Sequence, residues 1–304
     1  MTNRIKVETL LTNDIEFEGF ERLRVCDDKR SIEVTGIKNR IIHQKTIERI
    51  DKEKYIYLPT NELRYYNRNF SRENCITNLN KTFKKIRKII NYNFDGSDNE
   101  LHIILTYKEP MFEPSYLSKD FKSFWNKIKY RYKSLEYLRV AEPNASGSWH
   151  LHILVKNFKS PYLFIPYEFI RECWGRGNIK VVRIKNVDRM STYFFPSFNE
   201  NASKKAREKA ERLEYYPKEF NIYRTSRGIH IPKSVDKTIG EIYRLVDNCK
   251  LTRSAVSDIK TIDEYGNEIL LNQIVKQQYT RNKNSVNQIS EPELSGNGKE
   301  VDEK

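Results

Sequence analysis

The chain has 304 residues and carries 55 Lys and Arg against 41 Asp and Glu, a formal net charge of +14. This length suits one large domain or two small ones; a mean hydropathy of −0.76, without any run of about 18 apolar residues, argues against a membrane-spanning helix. The four cysteines (Cys26, Cys75, Cys173, Cys249) show no CxxC spacing, which speaks against a zinc ribbon or a disulfide scaffold and fits a reducing cytoplasm, while the positive excess with 19 Tyr and 15 Phe points to a polyanionic partner, nucleic acid first.

The start, MTNRIKVETLL, lacks the charged-then-apolar pattern of a secretory signal. Residues 1–71 read as short strands and turns, with RLRVCDDKRSIEVTG a hairpin turning at Asp27, Asp28 and Lys29. Across 72–93, Ile76, Leu79, Phe83, Ile86 and Ile90 recur at helical spacing opposite a lysine-rich face. After a turn at 95–100, LHIILTY (101–107) reads as a strand. A helix is expected over 118–135, N-capped by Ser118 and burying Phe121, Phe124, Trp125, Ile128, Tyr132 and Leu135. Then follow a strand (137–142), a tight connection (143–148), a strand (149–155), a helix closed by Gly175 or Gly177, and a strand (178–184). A short helix over 186–195, with Asn186 and Asp188 as cap candidates, meets Pro196, and a charged helix follows over 203–216. Signals then weaken to a helix (240–248), a faint hairpin pattern around 263–269 and a polar tail from Gln277. The order predicts an α+β fold: a central antiparallel sheet with helices packed on it. The expected division is an N-terminal region (1–71), a main domain (72–236), a helix and hairpin extension (237–276) and a disordered tail (277–304).

The informative stretch is GSWHLHILVKN (147–157). Residues i and i+2 of a strand share a face, so His150 and His152 project side by side while Leu151 and Ile153 point the other way. Two imidazoles so placed can bind one divalent transition ion. Glu142, on the preceding strand of the proposed hairpin, is placed to add a carboxylate, and two His with one Glu leave coordination positions open, as a catalytic site requires. The alternative is a pair of core histidines satisfied by hydrogen bonds. Tyr193, 41 residues after His152, reaches the same face if its helix packs there; among 19 tyrosines, packing is the ordinary role of any one of them.

In this order the segments HIILTYKEPM, YLRVAEPNASGSWHLHILVKN, CWGRGNIKVVRIKNVDRMSTYFF and YRTSRGIHIPK resemble the motifs of plasmid and phage rolling-circle replication initiators of the HUH endonuclease family, over roughly residues 72–233. The resemblance implies a ferredoxin-like or RRM-like core, a divalent metal ion (Mn²⁺ or Mg²⁺) held by His150, His152 and Glu142, and nucleophilic attack by Tyr193. It implies a 5′-phosphotyrosyl link to origin DNA, single-stranded or supercoiled, and a free 3′-hydroxyl primer. The chain departs from the pattern where relatives carry a lysine, and often a second tyrosine, one turn after the first: here stand Pro196 and Ser197. Lys204 or Lys205 is the expected substitute for that charge, and Tyr223 the next candidate nucleophile. Arg224, Arg227 and Lys233, with the lysine-rich helices, are candidates for phosphate contact; Trp149 and Trp174 are better read as packing residues than as base-stacking ones. No GxxxxGK[ST] occurs, so no ATPase is expected, and a host helicase and polymerase would act in trans, with no membrane partner. A mobilisation relaxase shares this chemistry; a non-catalytic DNA-binding initiator or repressor, or a hydrolase using water, are the readings from other classes.

Overall fold

The computed structural model describes residues 6–12, 16–39, 47–66 except 52 and 59, 76–194 except 188, 189, 191 and 192, 204–217, 220–262 and 265–281. The chain divides into two compact units, one built from residues 1–42 and 233–304, the other from 43–232. No helix among the described residues is long and apolar enough to cross a membrane.

The first unit is a six-stranded antiparallel sheet. It contains β1 (Lys6–Leu11), β2 (Arg22–Asp27), β3 (Ser31–Ile37), β12 (Val235–Asp236), β13 (Cys249–Ile262) and β14 (Glu268–Arg281), in the order β1-β13-β14-β3-β2-β12. The β2–β3 hairpin turns where expected: the Asp27 and Asp28 carboxylates accept the N–H groups of Lys29 and Ser31 at 2.8 and 2.6 Å, and Lys29 takes φ 69°. The helix α5 (Ile239–Val246) starts on a Thr238–Glu241 capping box and contributes Ile242 to a small core with Phe17, Leu23, Val25, Ile32, Val34 and Val275. Two expectations change here. The faint hairpin at 263–269 is the tip of two 14-residue strands, and the residues from Gln277 to Arg281, read as the start of a polar tail, pair with β3 and β13. The physical reason is shared: alternation on a half-exposed sheet leaves many polar residues in the strand, which lowers the apolar signal without removing the backbone pairing. The segments 1–71 and 237–276, expected to be separate regions, both give strands to this one sheet. Residues 282–304 of the expected tail lie outside the described residues.

The second unit holds a three-stranded antiparallel sheet of β4 (Ile47–Arg49), β5 (Lys54–Tyr57) and β6 (Glu62–Tyr65). It also holds the sheet that carries the site: β7 (Glu100–Leu105), β8 (Leu135–Pro143), β9 (Trp149–Asn157), β10 (Ile179–Val182) and β11 (Tyr223–Thr225), ordered β10-β7-β9-β8-β11 and antiparallel throughout. Its central strands are buried almost end to end because helices cover both faces. On one face lie α1 (Ile76–Asn93) and α4 (Lys204–Glu211), the latter followed by a 3₁₀ turn, Arg212–Tyr215. On the other lie α2 (Ser115–Arg131), whose Phe121 and Trp125 pack on Tyr137, and α3 (Tyr167–Trp174), whose Trp174 meets Phe124. The α+β class with an antiparallel sheet and packed helices is thus the observed one.

Helix α2 begins at Ser115, not at Ser118. Pro114 already sits at φ −67°, ψ −14°, and a proline tolerates the first turn because its missing N–H is one that a helix start leaves unpaired anyway. Ser118 is therefore inside the helix, while Tyr132 is its C-cap and Leu135 opens β8. After α3, Gly175 ends the helix in the left-handed region, φ 59°. Gly177 is needed for a close approach: a Cβ there would stand 2.4 Å from the Thr106 carbonyl oxygen. Trp174 Nε1 donates to that same oxygen at 2.8 Å, so the WGRG turn is locked onto the end of β7.

Candidate metal centre and tyrosine

The β8–β9 hairpin builds the centre locally. Asn144 closes its turn by accepting the N–H groups of Ser146 and Ser148 at 3.0 and 2.9 Å. The resulting register puts Glu142 directly across from His150, and Val140 across from His152. Cross-strand partners share a face, so the carboxylate and both imidazoles converge, each offering a ligand atom within 4.8 Å of the others. Leu151 and Ile153 are fully buried on the opposite face, as the alternation predicts.

The electrostatics suit a cation. Burial pushes the His150 imidazole down, with His152 adding to the effect, to about 4; His150 is neutral near pH 7 and has a lone pair to give. Burial alone would raise the Glu142 carboxyl, but the His152 ring and the Lys209 ammonium outweigh it and hold the group at about 2. Glu142 Oε2 and His152 Nε2 face one another at 3.3 Å, and both are buried without a hydrogen bond of acceptable geometry. Two buried, unsatisfied acceptor-type atoms beside a third donor is the arrangement a divalent ion would satisfy, so the residues present fit such an ion.

Three side chains here were not singled out in the sequence. His102 on β7 is buried, and its Nε2 lies 3.0 Å from His152 Nδ1. If His152 turns Nε2 toward a metal, Nδ1 must carry the proton and donate it to His102, which fixes both the tautomer and the ring. Burial first, and His152 second, push His102 down to about 3. Lys209 of α4 pairs with Glu142 Oε1 at 2.6 Å, and Arg212 Nη1 stands 3.8 Å from the same oxygen. A signal did exist for His102, a polar residue set inside the apolar run LHIIL. For Lys209 and Arg212 the spacing i, i+3 on a helix was visible, but not what that face would meet.

Tyr193 reaches the centre. Val187, Met190 and Tyr193 occupy helical turns, with the Met190 N–H donating to the Asn186 carbonyl at 3.0 Å. The Tyr193 ring lies edge-on to His152, centroids 5.5 Å apart, and Phe194 packs on the same imidazole at 5.2 Å. Phe194 is buried and Tyr193 is 41% exposed, so one anchors the turn and the other keeps its ring open to a substrate. Burial, and then the Glu142 charge, raise the Tyr193 phenol above its ordinary value. Asp188, Pro196 and Ser197 lie outside the described residues. Lys204 is exposed, the Lys205 side chain is outside the described set, and the lysine found at the site is Lys209.

The remaining candidates fall elsewhere. Tyr223 pairs with Val140 on the histidine face, two strands from His152, or about 10 Å at the usual strand spacing, with Lys85 of α1 over its ring. Arg224 on β11 and Arg227 in the turn beyond it are exposed, and neither is joined to the centre; Lys233 is partly exposed and belongs to the other unit. Trp149 and Trp174 are buried and pack, Trp149 against Tyr216 and Phe220.

Residues 100–215 match the model of the replication-associated protein ORF2 family. The matched segment opens at the first residue of β7 and closes at the end of the 3₁₀ turn after α4, so it contains His102, Glu142, His150, His152, Tyr193, Lys209 and Arg212. It is under half of the chain, and it supports a replication-associated protein of the Rep type. No curated protein and no solved structure matches the chain.

Proposed function

We propose that the chain is a replication initiator of the HUH endonuclease type, which nicks its replicon origin at a defined site and later rejoins the strands. The observation that carries this reading is the placement of the Tyr193 ring 5.5 Å from His152, within a group of three metal-type ligands. The match of residues 100–215 to a replication-associated family supports the same class.

In this reading the Tyr193 oxygen attacks the scissile phosphorus. A bond forms between that oxygen and phosphorus, the bond from phosphorus to the 3′-oxygen breaks, the phenol loses its proton and the leaving oxygen gains one. The products are a 5′-phosphotyrosyl link and a 3′-hydroxyl that primes rolling-circle synthesis; the retained phosphoester allows later closure of the strand without ATP. A divalent ion held by Glu142, His150 and His152 supplies a Lewis acid for the phosphate oxygens, and the two imidazoles suit Mn²⁺ better than Mg²⁺. His102 holds the His152 ring, Phe194 seats the tyrosine turn, and Arg224, Arg227 and Lys233 are assigned to the DNA backbone. We assign the nicking activity to the segment 72–236 and place it in the cytoplasm of a cell carrying the replicon, with the host helicase and polymerase supplied in trans.

The test is a denaturing gel with intact protein, single-stranded DNA of the parent replicon and Mn²⁺. A protein–DNA adduct lost in Tyr193→Phe and with chelator is the expected result. Cleavage without an adduct would make water the nucleophile. An adduct that persists in Tyr193→Phe would move the chemistry to another tyrosine, Tyr223 first, and DNA binding with neither cleavage nor adduct would leave a non-catalytic initiator.

A further inference from the structure

Glu142 is the one carboxylate among the three ligand residues, and in this structure its charge is already in use. Lys209 Nζ lies 2.6 Å from Oε1. The pair is nearly enclosed, with side-chain exposures of 12% for Lys209 and 9% for Glu142. The same ammonium sits 3.9 Å from the centroid of the Tyr193 ring and 5.6 Å from that of Phe194. One cation therefore touches both the ligand carboxylate and the candidate nucleophile. It comes from α4, 16 residues beyond Tyr193 in the chain, so neither contact follows from local spacing.

A further cation cannot join the same carboxylate without a penalty. With Arg212 also within 3.8 Å of Oε1, an arriving divalent ion would meet two positive side chains around a single negative one. Lysine differs from arginine at this point. Its charge is compact, its four-carbon stem is flexible, and it has no fixed fork that would commit it to the carboxylate. Sliding off Oε1 leaves it over the tyrosine ring, a surface that attracts cations in its own right.

We propose that Lys209 is an exchangeable counter-ion. It holds Glu142 in the metal-free protein, gives up the carboxylate when a divalent ion enters, and is then left beside Tyr193, where it offsets the negative charge of the incoming phosphate and of the phenol oxygen. The first half, competition with the ion, stands on the centre alone; the second half rests on the tyrosine reading above. Lys209 acts as a positioning residue in the first role.

The test uses intact, DNA-free protein titrated with Mn²⁺ by calorimetry, as wild type and as Lys209→Met, with Lys209→Gln as a second neutral variant should the first fail to fold. The neutral variant is expected to bind Mn²⁺ about tenfold more tightly, the size of a modest coupling between close charges. At saturating Mn²⁺ its rate of adduct formation is expected to fall roughly 100-fold, as when one charge-stabilising group is removed. Tighter metal binding with slower adduct formation is a combination that a merely structural lysine would not give. Independently of any variant, amine labelling of the wild type followed by mass spectrometry should show Lys209 reacting faster once Mn²⁺ is added. Unchanged or weaker Mn²⁺ affinity in the neutral variant, or labelling indifferent to Mn²⁺, overturns the exchange. Tighter binding with an undiminished adduct overturns the second role. A wild type that binds Mn²⁺ but forms no adduct on origin DNA sinks the tyrosine reading instead, and leaves the exchange to be decided by affinity and labelling.

Discussion

Arg139 and Glu142 stand three residues apart on β8 and leave the sheet by opposite faces. Both are buried, Arg139 at 1% exposure and Glu142 at 6%. On the histidine face, Glu142 is met by Lys209, Arg212 and His152. On the face beneath α2, none of the three guanidinium nitrogens of Arg139 makes a hydrogen bond among the described residues. Its nearest compensation is the Phe121 ring at 5.3 Å, and its cross-strand partner on β11 is Arg224, a like charge. Burial first, and Arg224 second, push the Arg139 guanidinium down to about 10. The contrast separates two meanings of a buried charge. Where counter-charges and metal-type ligands converge, the charge belongs to a site; where they do not, it is a stability liability that the surrounding aromatic core tolerates.

Glu142→Gln should break the comparison most severely, because it keeps the volume but leaves Lys209 near the interior without its partner. A loss of about 3 kcal/mol is expected, the lower end for a broken buried pair, read from urea unfolding, together with loss of Mn²⁺ binding in calorimetry. Arg139→Met should act in the other direction. Removing an unsatisfied buried charge while filling its space should raise stability by about 2 kcal/mol, with Mn²⁺ affinity unchanged; a destabilised protein, or one with altered metal binding, would show that Arg139 is coupled to the centre after all.

His102→Leu should have the smallest effect and should sharpen the picture of the histidine face. It removes the acceptor for His152 Nδ1, and Mn²⁺ affinity should drop about tenfold, as for other groups that orient metal ligands. The same variant has a pH signature in chelated protein. The folded-state values of His102 and His150 are about 3 and about 4, below the roughly 6.5 of a free imidazole, so between those limits the unfolded chain binds more protons than the folded one. Their contribution to stability is therefore complete above about pH 6.5 and is lost as the pH falls toward 4. Wild type should lose more of its thermal midpoint across that window than His102→Leu; parallel curves would contradict the buried, neutral state assigned to His102.

How much of this was legible in the sequence follows the range of each contact. Glu142, His150 and His152 are joined by a hairpin with a short turn, Asn144–Ser148, and a period of two was enough to place all three on one face. Tyr193 required a further assumption about where its helix packs, which the ring contact with His152 answers. His102 and Lys209 were out of reach because they lie 50 and 67 residues along the chain from His152 and Glu142, and sheet order and the packing of α4 bring them together. Ser118 shows the opposite failure. It looks like a helix cap, yet the chain was already helical because Pro114 had set the backbone. In β13 and β14, stretches such as KLTRSAVSDIKT and NQIVKQQYT mix polar and apolar residues on a sheet that is only partly covered, so composition concealed what backbone pairing shows plainly.

The unit that carries the centre is an insertion: residues 43–232 interrupt a sheet whose members come from 1–42 and 233–304. A ribosome completes the inserted part before it has made β13 or β14, and β1 has no partner until residues 255–260 emerge. Domains fold as units during synthesis, so the β8–β9 hairpin and its three ligands are assembled while the other sheet is still an unfinished hairpin of β2 and β3. A nascent chain cut short anywhere between β11 and β13 would therefore already possess the metal centre and the tyrosine, yet lack the sheet that its first residues were made for.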